Sequence, residues 1–239
     1  AERRAAALSL DPTLLAELLG RAELRELLDP GVIAQTEREM QRLDPSRHAR
    51  DAEGVLDLLR LLGPQSTAEL HARAHEGVVS EELLLGFARQ NRVLRATLAG
   101  EPRWAVMEDA SRLRDALGVP LPIGVPSAFL DPVADPVGDL VSRYARTHGP
   151  FTAQDAAARL GLGVAVVADA LRRLQSDRRV VEGEFRPGAS GSEWVDSEVL
   201  RRLRARSLAA LRSEVEPVPQ RTLGCFLPEW QHVGPIGRG

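Results

Sequence analysis

Lysine is absent from this chain; all 31 basic residues are arginine. With abundant Ala and Leu, that bias reads as codon usage rather than as a functional signal. Cysteine is nearly absent too. Cys225 stands alone, which excludes an internal disulfide and any multi-Cys zinc site and suits a reducing cytoplasm, where we expect the protein. Aromatics are only 4% of residues, so the cores must be built mainly from Leu, Val and Ala. No apolar run approaches the roughly 18 residues of a transmembrane helix. The N-terminus carries no signal-peptide core, and no membrane partner is expected. A Gly-x-x-x-x-Gly-Lys loop is missing, which excludes a nucleotide-hydrolysing motor of that kind. The histidines His48, His71, His75, His148 and His232 are scattered. His71 and His75 are spaced i, i+4 but have no matching acidic ligand. Cys225 and His232 make no catalytic pair. We therefore expect no catalytic residue, no metal and no cofactor in this stretch, and no enzymatic activity of its own.

What is present is a repetition. "LLGPQSTAEL" (61–70) and "THGPFTAQDA" (147–156) say nearly the same thing about 86 residues apart. Each places a Gly-Pro break after an apolar helical pattern and opens a second helix just beyond it. Val55, Leu58, Leu59 and Leu62 form the first amphipathic helix of copy one. Thr67 is expected to cap "AELHARAH", and Ser80 to cap "EELLLGFARQN", whose stripe is Leu83, Leu84, Phe87 and Ala88. "RVLRATLAGEPRWAV" alternates as a β-hairpin around Gly-Glu-Pro. In copy two, Leu140, Val141, Tyr144 and Ala145 mark helix one, Thr152 caps "AQDAAARLG", and "VAVVADALRRLQSD" is helix three. "RRVVEGEFRPGASGSEWVD" is the second hairpin, turning around Pro187 to Ser192. Trp104 and Trp194 fall alike on the returning strands and are expected to pack each hairpin on its helices.

Helix, helix, helix, hairpin, twice over, is a mainly α fold with small β wings: tandem winged-helix modules. At 239 residues several small domains are expected. We place a helical lead-in segment at 1–50, a first winged helix at 51–117 and a Pro-rich linker at 118–136. A second winged helix follows at 137–196, a basic helix with linker at 197–220, and the start of a further module at 221–239. Asp11-Pro12 and Asp29-Pro30 are helix starts in the lead-in. That segment has little of its own to bury and is expected to pack on whatever precedes it. An Ala start and a "GPIGRG" end read as a piece of a longer protein.

A net charge of −3 does not advertise nucleic-acid binding, so the case must be local. Helix three of the first copy opens with Glu81 and Glu82, which repel phosphates. That copy reads as a packing module. The second is better furnished, with Arg172, Arg173, Arg178 and Arg179 at the end of helix three and Arg186 in the wing. Thr152 and Gln154 begin helix two, where a helix N-terminus favours phosphate. In "SEVLRRLRARSLAALRSEVEPVP", Arg201, Arg202, Arg206 and Arg212 share one arc opposite Leu200, Leu203 and Leu211. A solvated basic face and a phosphate-binding face both fit these arginines.

At "LLGRAELRELLDPGVIAQTEREMQRLDPSRHARDAEGVLDLLRLLGP" the chain resembles the Lhr family, the large helicase-related proteins. "RTLGCFLPEWQHVGPIGRG" resembles that family's Phe-Leu-Pro-x-Trp-Gln element. The resemblance covers nearly the whole chain and implies the start of the family's C-terminal region, just past a superfamily 2 helicase core. It implies ATP and Mg for that core, and DNA, the helicase core and the remaining C-terminal modules as partners. It further implies homo-oligomers, an architecture similar to AlkZ-type DNA glycosylases, and a parent role in uracil removal. No position here matches the glycosylase carboxylate. An interaction scaffold that never touches DNA is the alternative.

Overall fold

The computed structural model describes residues 28–214 apart from 188 and 190. The Asp11-Pro12 start, Cys225, His232 and the Phe-Leu-Pro element lie outside the described residues. Caps and breakers in the sequence set most helix ends. Asp29 Oδ1 accepts from Val32 N at 2.9 Å and starts α1 (Pro30–Met40), with proline in its first turn. Asp51 caps α2 (Ala52–Leu62), and Gly63 ends it with φ 77°. The cap of α3 (Thr67–His71) is Ser66 rather than the expected Thr67. Ser66 Oγ accepts from Glu69 N at 3.2 Å while Glu69 Oε2 accepts from Ser66 N at 2.7 Å, a reciprocal capping box. Thr67 bonds elsewhere, its Oγ1 accepting from Trp104 Nε1 at 3.1 Å. Ser80 caps α4 (Glu81–Arg89) as expected.

β1 (Val93–Leu98) and β2 (Glu101–Val106) pair antiparallel. Their turn is Ala99-Gly100, with φ 50° and 82°. Positive φ at both positions matches the twist of a two-residue hairpin. The turn therefore lies one residue earlier than Gly-Glu-Pro suggested, and Pro102 sits inside β2 opposite Thr97. α5 (Ala110–Leu117) follows, an element the sequence reading did not anticipate. The second copy comprises α6 (Pro136–Thr147), α7 (Ala153–Leu160) and α8 (Val164–Ser176). The hairpin of β3 (Val180–Gly183) and β4 (Glu193–Asp196) completes it. α9 (Ser197–Glu214) comes last.

The repeated phrase makes the same contact twice. Gln65 and Phe151, each following a Gly-Pro, pair antiparallel with Trp104 and Trp194. The matching N–H···O distances are 2.9 and 2.7 Å in both copies. The two tryptophans are buried, 5% and 6% exposed, so they fasten each wing to its own helices.

The first hairpin contributes side chains to two cores. Val93, Trp104 and Val106 lie in the core of its own helices, with Leu56, Leu59 and Phe87. Leu94, Ala96, Leu98 and Ala105 lie in the core of the second copy, with Val141, Leu160 and Leu171. Gly161, at φ 69°, makes this approach possible: a Cβ there would meet Ala99 N at 3.1 Å. The Pro-rich stretch is not a free spacer. Leu121, Val125 and Phe129 pack on the same core, and Arg114 Nη1 donates to Leu130 O at 3.1 Å. Nor does α1 depend only on what precedes it: Ile33 and Met40 share a core with Phe185, Val195, Val199 and Leu203. Asp29 N donates to Ser207 Oγ at 3.1 Å, tying α1 to α9.

Candidate nucleic-acid interface

α8 carries the arginines that a winged helix would offer to DNA, and most of them already have partners. Asp169 stands three and four residues before them on the same face. Arg172 Nη1 reaches Asp169 Oδ1 at 3.2 Å; Arg173 pairs with Asp169 and, at 3.3 Å, with Asp135. In the wing, Arg186 pairs with the buried carboxylate of Glu193, which also accepts from Arg186 N at 2.8 Å. Thr152 N and Oγ1 both donate to Asp155 Oδ2 at 2.8 Å. A carboxylate thus occupies the place a phosphate would take at the start of α7; Gln154 beside it is exposed.

The arc on α9 divides. Arg201 pairs with Glu198, and Arg202 is exposed with no ion pair among the described residues. Arg206 turns to α1, donating to Glu39 Oε2 at 2.8 Å and Thr36 Oγ1 at 3.1 Å. Arg178, held at φ 59° in the turn after α8, is exposed and makes no ion pair among the described residues.

Arg179 is the predicted residue that the fold brings into new company. Its Nη2 donates to Ser142 Oγ on α6 at 2.5 Å. There it joins Arg112, Arg143 and Arg146 around a hollow of about 190 Å³, with Asp139 opposite. On α6, Asp139, Arg143 and Arg146 sit at i, i+4 and i+7, opposite the buried stripe of Leu140, Val141 and Ala145. Asp109, 2% exposed, lies behind them. It accepts from Arg143 Nη2 at 2.8 Å, from Arg143 Nη1 and from Arg112 Nη1. Arg112 Nε also reaches Asp139 Oδ2 at 3.1 Å. Arg146 and Arg179 have no carboxylate partner among the described residues, so four guanidinium groups face Asp139 and Asp109. Sequence reading missed Arg112, Arg143 and Arg146; the polar spacing on α6 was the available signal for the last two.

The first copy offers phosphates less. Glu81 and Glu82 are exposed on α4. Arg92 donates to Glu53 through Nη1 at 2.8 Å and Nη2 at 2.6 Å. Among the described residues no group of three or more His, Cys, Asp or Glu could hold a metal ion. His75 meets His48 edge-on at 5.8 Å instead of sharing a site with His71. No described helix is long and apolar enough to cross a membrane.

Where the copies meet, His148 stacks on Tyr144 with ring centroids 3.7 Å apart. Burial pushes the Tyr144 phenol up and pulls the imidazole from 6.5 down to about 4. The neutral imidazole is the folded form, so the unfolded chain takes up this proton first as pH falls. Stability from this group is complete above pH 6.5 and is lost between there and about 4. After solvent screening we expect a loss on the order of 2 kcal/mol. Glu37, whose carboxyl burial raises, acts in the opposite sense. The difference between wild type and His148→Gln is therefore the clean measure: urea midpoints at pH 7 and 4.5 should separate more in wild type. Equal pH slopes would contradict this.

Comparison with known proteins agrees with this architecture. Residues 26–132 match the family model "Large helicase-related protein, winged-helix domain", a span that takes in α1 and the Pro-rich strap. A Mycolicibacterium smegmatis protein described as "Lhr helicase/ probable uracil glycosylase" is 55% identical over 234 residues, covering 98% of this chain and 16% of that protein. An Escherichia coli "Lhr helicase/uracil glycosylase" is 44% identical, covering 100% of this chain and 15% of that protein. The chain thus spans about a sixth of the length of the curated relatives it matches. With a winged-helix model matched in its first half and similarity running its whole length, this chain belongs to the Lhr family of large helicase-related proteins.

Proposed function

We propose that this chain is a DNA-handling segment in the C-terminal region of an ATP-dependent Lhr repair helicase, docking phosphates on its second winged helix. The hollow carries the reading: Arg146 and Arg179, without carboxylate partners among the described residues, are flanked by Arg112 and Arg143. Arg178 and Arg202 extend it as exposed cations. Arg172, Arg173, Arg186, Arg201 and Arg206 are secondary contacts, each able to reach a phosphate only by leaving a carboxylate. Thr152 and Gln154 contribute less still. The segment itself performs no catalysis and needs no cofactor; ATP and Mg serve the helicase core of the same polypeptide. The helicase and glycosylase named for its relatives belong to the parent protein, which works on DNA in the cytoplasm as a homo-oligomer, with the core and the remaining modules as partners.

One observation favours the scaffold reading: the first wing contributes side chains to the cores of both copies, so that copy serves to hold its neighbour. Salt dependence separates the two readings. Each lost phosphate contact lowers the slope of log K against log salt by about 0.9 on duplex or about 0.7 on single strands. Arg146→Ala with Arg179→Ala should flatten the slope by nearly two contacts, without changing sequence preference. Arg172→Ala with Arg173→Ala should do less, because Asp169 already engages both side chains. An unchanged slope in the Arg146/Arg179 variant, with altered oligomer size by light scattering, would favour the scaffold.

A further inference from the structure

A deeper cavity, of about 220 Å³, lies where α1, both winged helices and the Gly63-Pro64 turn meet. Arg73, Arg103, Arg143 and Arg159 line it, with Glu69 as the lining carboxylate. Glu69 is already shared, accepting from Arg103 Nη1 at 3.0 Å and from Arg159 Nη1 at 2.6 Å. Arg143 is held by Asp109. Arg73 differs from all of these. Its Nε donates to Gln41 O at 2.8 Å, Nη1 to Glu69 O at 2.9 Å and Nη2 to Gln41 Oε1 at 2.9 Å. Arg73, only 8% exposed, is thus fixed by neutral carbonyls, with no carboxylate bonded to it among the described residues. Buried charges are ordinarily paired.

Two further atoms define what the cavity asks for. Arg103 Nε and Gln65 Oε1 are buried with no hydrogen-bond partner among the described residues. Their residues are 6% and 2% exposed. The amide orientation of Gln65 is set, since its Nε2 donates to Pro64 O at 3.1 Å and to Gly63 O at 3.4 Å. Arg103 Nε–H therefore needs an acceptor, and Gln65 Oε1 needs a donor. A buried polar atom left unmatched is costly, so a ligand that answers both gains affinity.

We infer that this cavity binds a phosphate group that keeps a hydroxyl: inorganic phosphate, or the terminal monoester phosphate of a nucleic-acid strand. Its anionic oxygens accept from Arg73 and Arg103 Nε, and its P–OH donates to Gln65 Oε1. An internal phosphodiester has no hydroxyl to give and sulfate has none near neutral pH, whereas inorganic phosphate keeps one there and a terminal monoester, with a second pKa of about 6, keeps one in its monoanionic form. The volume suits a small anion, being below the ~300–1,000 Å³ of pockets for drug-sized ligands. Because α1 and both winged helices contribute to the wall, an occupant clamps the two copies in one orientation. None of this requires duplex to bind the hollow on α6: inorganic phosphate would enter even if DNA did not.

The test uses the whole 239-residue chain, labelled with nitrogen-15 and titrated at constant ionic strength. Sodium phosphate should shift the Arg103 Nε–H resonance saturably, and sodium sulfate should not. If a 5′-phosphorylated dinucleotide shifts it while inorganic phosphate and the 5′-hydroxyl dinucleotide do not, the ligand is a strand end. Arg73→Gln, which keeps an amide but removes the charge, should weaken binding about tenfold or more, as for the loss of one charge-assisted pair. A resonance that moves with no phosphate probe, or equally with sulfate, overturns the site. So does wild-type affinity in a folded Arg73→Gln variant. Should that variant fail to fold, the wild-type titration decides alone.

Discussion

Asp109→Ala should destabilise the chain by about 3–5 kcal/mol, the cost of removing one partner from a buried ion pair. For a protein of this size that is a fall in Tm of roughly 6–20 °C. Asp109 is 2% exposed, at the end of the short turn that links β2 to α5. Its carboxylate holds Arg143 of α6 and so fixes the first copy to the second. The burden of the loss is unequal. Arg112 keeps Asp139 Oδ2 at 3.1 Å, whereas Arg143, 16% exposed at the side chain, has no second carboxylate in contact among the described residues. That asymmetry makes a stronger test than the single variant. Replacing both partners, Asp109→Leu with Arg143→Met, should recover most of the stability, because removing a whole buried pair is often neutral. A double variant no better than Asp109→Ala would show that packing around Asp109, not its charge, had been lost. The same variants bear on function: removing Asp109 leaves the hollow with one negative charge fewer, so DNA affinity should rise while stability falls.

That pair also shows where reading the sequence stops. Helix ends were legible because their causes are local. Gly63-Pro64 and Gly149-Pro150 break helices, and Asp29, Ser80 and Thr152 cap them. Even the shift from Thr67 to Ser66 was open to a closer look, since Ser66 and Glu69 stand at capping-box spacing. The partners of Arg172 and Arg173 were local as well, with Asp169 one turn back. Nothing local joins Asp109 to Arg143, 34 residues on, or Glu69 to Arg159, 90 residues on. Such contacts exist only because the first wing lies between two cores. The wing itself hints at this. In β1 the buried residues Val93 and Leu94 are adjacent at the start of the strand, where it meets both cores, before Leu94, Ala96 and Leu98 alternate with the exposed Arg95 and Thr97. Arg112 could not be named as a phosphate ligand from the sequence, because the hollow it lines is made by α5 and α6 meeting.

Phe87→Ala, on α4, should cost a similar amount, about 3–5 kcal/mol. The ring is 5% exposed and sits with Leu56, Leu59, Leu84 and Val93 in the core of the first copy. The Arg92 guanidinium covers its outer face, 5.1 Å from the centroid. That core is small, and a module of this length has little stability to lose. Trp104 shares that core but is tied by its Nε1 to Thr67 Oγ1 at 3.1 Å, so Leu and Val side chains would have to collapse into the void. The first hairpin makes the consequence travel. Val93 and Val106 face the damaged core, while Leu94 and Ala105 on the same strands face the core of the second copy. If the two cores unfold as one unit, amide exchange in α8 should speed up along with exchange in α2 and α4. A substitution of the same kind far from the hairpin, such as Val199→Ala in the cluster with α1, should leave α4 protected. If Phe87→Ala left thermal unfolding unchanged, the packing assigned to α4 would be wrong. If it accelerated exchange in the first copy alone, the shared hairpin would divide the two winged helices instead of joining them.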